Sequence, residues 1–135
     1  YDITKFKNKP SASAINDAVQ RKVTLYERIS NHSGCLDALN NGYPVVVGFY
    51  VYSSFETAQV SITGVMPYPN VSRERLLGGH AVLLVGYDKT RQVYIVRNSW
   101  GTSWGDSGYF YMPYQVIQNT SMSSDFWTIS AVHNP

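Results

Sequence analysis

The sequence predicts an α+β domain, an antiparallel sheet that is strongly bent or closed into a partial barrel and is flanked by short helices. Three observations carry that expectation. Two apolar runs rich in β-branched and aromatic residues, 45–52 and 81–87, have the length of strands rather than helices. The second is followed by turn chemistry in Asp88-Lys89-Thr90-Arg91 and then by the alternating segment 92–97, which implies an antiparallel hairpin. The helix-like stretches between such runs are brief and closely bounded by turn residues.

Taken in order, residues 1–10 are polar, with Lys5, Lys7 and Lys9 on alternate positions before Pro10, and read as an extended, solvated lead-in. Residues 23–29 alternate as a strand does. A helix of about two turns follows, capped by Asn31 or Ser33, carrying Cys35, Leu36, Ala38 and Leu39, and stopped at Asn40-Asn41-Gly42. The run after Pro44 reads as a core strand buried on both faces, and the run 81–87 as a second buried strand. Gly64, Pro67, Pro69 and Asn70 make 63–75 a loop. Residues 109–111 form another short strand, 113–119 a helix and 126–132 a closing strand.

Composition bounds what this fold can do. With 135 residues, 44% hydrophobic and 14% aromatic, the chain fits one domain over 1–135 and leaves little room for two. Only 15% of residues are charged and the net charge is +2, so no nucleic-acid or membrane-surface partner is expected. The longest strongly apolar stretch, 44–52, is far shorter than the ~20 residues that cross a bilayer. A single cysteine excludes an internal disulfide, and His32, His80 and His133 have none of the Cys/His spacings of a zinc site. His32 and His133 read as solvated surface. The low charge and high Ser, Thr and Tyr content would suit secretion, while the lack of a disulfide lends no support to an oxidising compartment, so localisation stays open.

The chemistry concentrates around His80. Gly78-Gly79 precede it at the mouth of a strand, where two missing side chains let another backbone or a ligand approach. If 88–91 is the hairpin turn, Asn98 ends the partner strand near the same open end and can share a hydrogen bond with the imidazole. An amide that accepts the imidazole N–H fixes its tautomer and rotation, which a general base requires. Trp100 and Trp104 follow on a glycine-punctuated loop and would screen that bond from water.

Residues 79–82 (Gly-His-Ala-Val) with Val85-Gly86-Tyr87, then Val96-Arg97-Asn98-Ser99-Trp100-Gly101, Trp104-Gly105 and Gly108-Tyr109-Phe110, resemble the papain-like cysteine peptidases. The likeness is strongest over 78–114, with bacterial or viral character in residues 40–45 and 125–129. It implies a two-domain enzyme of which this chain is the right domain, like a bent sheet or partial barrel, the left, cysteine-bearing domain being absent from it. By the same resemblance His80 is the catalytic histidine, Asn98 its orienter, Trp100 the shield of their bond and Trp104 the aromatic on the leaving-group side. Gly48, Gly79 and Ala81 would line the pocket for the substrate side chain next but one before the scissile bond. No metal or organic cofactor is implied, and the partners would be a peptide or protein substrate, the missing left domain and, through an exposed apolar face, a second copy of the chain.

The family's nucleophile motif and its preceding glutamine do not occur here. The usual spacing places that cysteine about 50 to 70 residues before Tyr1. Cys35 competes for the role, because it follows Gly34 near a helix start and because Cys35, His80 and Asn98 come in the order the mechanism uses. Its apolar neighbours favour a packing role. Three readings follow: the His/Asn half of a peptidase, a non-catalytic peptide- or partner-binding module, and a self-contained hydrolase using Cys35.

Overall fold

The computed structural model describes residues 2–132; Tyr1 and residues 133–135, His133 among them, lie outside the described residues. After a short 3-10 turn at Ile3–Lys5 come α1 (Ala12–Val19), β1 (Val23–Ile29), α2 (His32–Asn40), β2 (Val45–Tyr52) and α3 (Ala58–Thr63). They are followed by β3 (Leu76–Asp88), β4 (Val93–Arg97), β5 (Tyr109–Pro113), α4 (Tyr114–Gln118) and β6 (Ser123–Val132). The strands make one antiparallel sheet in the order β1-β6-β2-β3-β4-β5, so the α+β class is as expected.

The core lies on one face of this sheet. Along β2, Val45, Val47, Phe49 and Val51 point inward, while Val46 and Tyr50 are exposed. Along β3, Val82 and Leu84 are buried, while Ala81 and Val85 are exposed. Burial of these runs on both faces is therefore incorrect. A continuous apolar run satisfies one-sided and two-sided packing equally, and only the placement of the helices decides. Here α2 and α4 pack against the sheet and each other, and add Cys35, Tyr114, Val116 and Ile117 to the inner layer. Each fully buried side chain of this size stabilises the fold by roughly 1.5–3 kcal/mol.

Local signals set most boundaries. Asn31, not Ser33, caps α2, its Oδ1 accepting the Gly34 N–H at 3.0 Å, and Gly42 leaves the helix at φ 80°. Residues 2–10 are exposed as expected of a solvated arm, but the extended lead-in is broken by the 3-10 turn and passes into α1. Pro10 ends the extended stretch, and the Ser11 hydroxyl then caps α1 by accepting the Ala14 N–H at 3.2 Å. His32 does not lie on the solvated surface. It opens α2 half-buried, edge-on to Tyr94 and Tyr114, with Nδ1 2.7 Å from the Tyr94 hydroxyl.

Two features position the site. In the β3–β4 turn, Asp88 Oδ1 accepts the N–H groups of Thr90 and Arg91, and the register pairs Tyr87 with Tyr94 and Leu83 with Arg97. Beyond Leu83, β3 runs on past the end of β4, so His80 and Asn98 meet at that end of the hairpin. On the other side of β3, the 53–75 connection is held by the Glu74 carboxylate, which accepts N–H groups from Ser54 at 3.0 Å and Asn70 at 2.7 Å.

Candidate active site

His80 sits on β3 opposite Phe49 of β2. Its Nε2 lies 2.8 Å from Asn98 Oδ1. An amide oxygen only accepts, so Nε2 carries the proton and donates it, and Nδ1 keeps a free lone pair. The Asn98 oxygen is itself oriented, accepting the Ser99 N–H at 2.8 Å, while the Asn98 N–H donates to Gly108 O at 2.9 Å. Asn98 is 9% exposed, and its Nδ2 is buried without a partner among the described residues. The pair is thus a fixed imidazole with one ring nitrogen available to chemistry.

Aromatic rings cover the pair on one side. The Trp100 ring stacks on His80 at 5.1 Å and 22°, and Trp104 stands edge-on to Trp100 at 5.0 Å. Behind both is Phe55, 5.7 Å from Trp100, 5.6 Å from Trp104 and 5.1 Å from Phe110. Trp100 is still 40% exposed, which leaves one side of the imidazole stack open to a further surface. The loop holding the tryptophans is tied to α3 by the Gly105 N–H donating to Ser61 O at 2.7 Å. Gly105 has φ 61°, and a Cβ there would collide with the Tyr109 carbonyl oxygen, so no other residue fits.

Beside His80 lies a depression of about 370 Å³ whose walls include Gly48, Gly79, Ala81, Met122 and Ser124. The three residues expected at a substrate pocket therefore come together next to the histidine. Register explains it, since Gly48 pairs with Ala81 on one side and Ser124 on the other. Phe55, Met122 and Ser124 are absent from the sequence-based candidates. Phe55 is the one aromatic in a polar stretch, which is its only local signal; Met122 and Ser124 have none, because they reach the pocket through a long-range strand pairing.

Cys35 lies elsewhere. It is fully buried in the first turn of α2, and burial pushes its thiol up to about 11. His80 has Phe49, Trp100 and Asn98 as its ring and hydrogen-bond neighbours. A thiol reagent at pH 8 is expected to modify native Cys35 on the order of 100-fold more slowly than an ordinary cysteine, because so little thiolate is present. Full reaction should come only on unfolding in guanidinium, and prompt modification of the native chain would contradict the burial. His32, by contrast, has its pKa lowered by burial, and its hydrogen bond joins α2 to Tyr94 of β4.

Comparison with known proteins places these residues in a family. A sequence model described as papain family cysteine protease matches residues 3–129. The chain is 40% identical to a peptidase C1-like protein of Acanthamoeba polyphaga mimivirus, over all of this chain and 46% of that protein. It is 30% identical to cysteine proteinase 2 of Zea mays, over 82% of this chain and 29% of that protein. Among solved structures, xylellain, a cysteine protease from Xylella fastidiosa, superposes with a TM-score of 0.83 at 41% identity, covering 90% of this chain and 45% of that one. The chain spans less than half the length of each of these relatives.

Proposed function

The chain belongs to the papain family of cysteine proteases, and on that premise we propose that it is the right domain of a peptidase, supplying the base and its orienter to a cysteine carried on a left domain. In the assembled centre His80 Nδ1 takes the thiol proton, the thiolate sulfur attacks the peptide carbonyl carbon, and an electron pair of the C=O moves onto oxygen. As the tetrahedral species collapses, the C–N bond breaks and His80 gives its proton to the leaving amine. Water then adds to the thioester with His80 taking its proton, and the acid and the thiol are released. Asn98 holds the imidazole in the tautomer that aims Nδ1 outward, and Trp100 keeps water from the Nε2–H···Oδ1 bond.

One observation carries this reading: a histidine hydrogen-bonded to a buried asparagine and stacked under a tryptophan, with no hydrogen bond to its second nitrogen among the described residues. Exposed apolar residues on the outer sheet face, Val46, Ala81 and Val85, suit a surface on which a companion domain packs. A binding module has no use for a base, its orienter and its shield together. Cys35 as nucleophile would need a thiol that ionises readily and faces the imidazole, and burial opposes the first.

The test compares two proteins treated with a peptidyl epoxide that traps papain-like thiolates and assayed on a fluorogenic dipeptide amide. One is the isolated chain, expected to show no labelling and no turnover. The other is a chimera in which this chain replaces the segment it matches in the Xylella protease, expected to be labelled on the grafted cysteine and to turn over substrate. Labelling of Cys35 with turnover in the isolated chain would move the nucleophile to Cys35, and an unlabelled, folded, inactive chimera would favour the binding module.

A further inference from the structure

We propose that Glu74 is a positioning residue for His80, its carboxylate clamping the 53–75 connection so that Phe55 and α3 hold the tryptophan pair against the imidazole. The inference rests on the peptidase reading for its kinetic consequence, and adds the group that keeps the base under its shield. Glu74 is half-buried. The ion pairs among the described residues, Lys5 with Asp2 and Arg21 with Asp17, leave it out. Its carboxylate serves backbone N–H groups instead. Oε1 accepts from Asn70 at 2.7 Å, and Oε2 accepts from Ser54, 20 residues before it in the chain, at 3.0 Å. Bonds of this kind to a charged acceptor are roughly twice as strong as neutral ones. One side chain thus ties the start of the connection to its end, next to the bond from Ser53 N–H to Arg75 O at 3.0 Å.

From Ser54 two routes lead to the base. The first runs through the next residue, since the buried Phe55 ring backs Trp100 and Trp104, and Trp100 stacks on His80. The second runs through α3. Thr57 Oγ1 donates to Ser54 O at 3.1 Å and accepts the Val60 N–H at 3.4 Å as the cap of that helix. Ser61 O of α3 then accepts the Gly105 N–H of the tryptophan loop at 2.7 Å. A helix of six residues is not stable without its cap and its packing, so a shift of Ser54 is passed on and not absorbed. Trp100 is 40% exposed, which makes its plane depend on what lies behind it. Glutamine at position 74 would have the same shape with one acceptor oxygen fewer. Either orientation of its amide turns an NH₂ group toward one of the two N–H donors, so one bond is lost and a donor faces a donor.

The experiment reads the stack directly. An imidazole lying under an indole has its ring protons shifted upfield by the ring current, so the His80 C–H resonances of the ¹³C-labelled chain report how closely Trp100 covers it. In Glu74→Gln these resonances should move most of the way toward those of Trp100→Ala, which has no stack. In the chimera the same substitution should lower kcat about 3- to 10-fold with KM nearly unchanged, the effect of one hydrogen bond passed along packed neighbours. Glu74→Asp keeps the charge on a side chain one methylene shorter, so it should follow Glu74→Gln. Both variants should remain folded, since neither alters the core cluster, and should Glu74→Gln fail to fold, Glu74→Asp decides by the same resonances. Unmoved His80 resonances in folded Glu74→Gln would overturn the proposal even with a lowered melting point, because a clamp that only stabilises gives the second without the first. Parent-like resonances and kcat in Glu74→Asp would overturn it too, since charge and not reach would then matter. The spectrum needs no turnover. An inactive parent chimera with displaced resonances in Glu74→Gln would sink the peptidase reading alone, and an active chimera whose Glu74→Gln form keeps its resonances and kcat would sink this one alone.

Discussion

Replacing His80 by alanine in the active chimera is expected to lower kcat by about 10³-fold or more, the largest effect of any single substitution in this chain. Two losses combine. Without the imidazole the thiol returns to an ordinary pKa near 8.5, so only a few per cent is thiolate at neutral pH. The leaving amine also loses its proton donor, a contribution of about 10² to 10⁴ by itself. A 10³-fold change corresponds to about 4 kcal/mol of barrier, well beyond what a packing defect beside the site would give. Because His80 is half-buried on β3 and not in the core cluster, His80→Ala should melt close to the parent. Asn98→Ala is the informative companion. It leaves the base present but frees its ring, so kcat should fall about fivefold with KM unchanged, in line with one hydrogen bond of about 1 kcal/mol. Turnover by His80→Ala within a factor of ten of the parent would mean that another group is the base.

The His80–Asn98 pair was legible in the sequence because both residues are fixed by local rules. Asp88 closes a tight turn, and counting along the hairpin brings Asn98 back beside His80; Gly78 and Gly79, expected at the mouth of the strand, lie inside β3, which begins at Leu76. The same rules place all six strands and the α2 cap region, since alternation and turn chemistry act over a few residues. They could not give the burial of His32, whose partner Tyr94 is 62 residues away, nor the one-sided packing of β2, which depends on where α2 and α4 come to rest. α3 went unassigned for a related reason. It has six residues and is stabilised mainly by Val60 in the core, with Thr57 as cap and Gly64 as exit, so its local signal is small. The pocket lies between these cases: Gly48, Gly79 and Ala81 are identifiable by family likeness, whereas Met122 and Ser124 join them only through the pairing of β6 with β2.

Phe55→Ala is expected to destabilise the domain by about 3–5 kcal/mol, the largest stability effect that the site's surroundings predict. Phe55 is 1% exposed and touches four aromatic neighbours, Phe49, Trp100, Trp104 and Phe110, at centroid distances of 5.1–5.7 Å. Truncation leaves a ring-sized cavity among stiff groups that cannot collapse into it, and it removes edge and tilted ring contacts worth about 0.5–1.5 kcal/mol each beyond area. Against a total stability of about 5–15 kcal/mol for a domain, the urea midpoint should drop by about a fifth or more. The effect should also reach the chemistry, because Phe55 supports the Trp100 ring that stacks on His80. Tryptophan emission should shift to the red as Trp100 and Trp104 gain water, even where the variant is still folded. Phe55→Leu fills most of the space, so it should cost far less stability, yet it too should redden the emission because no flat ring backs the tryptophans. A loss under about 1 kcal/mol for Phe55→Ala would mean that the tryptophan pair is held by its glycine turns and by the Gly105–Ser61 hydrogen bond, not by the ring behind it.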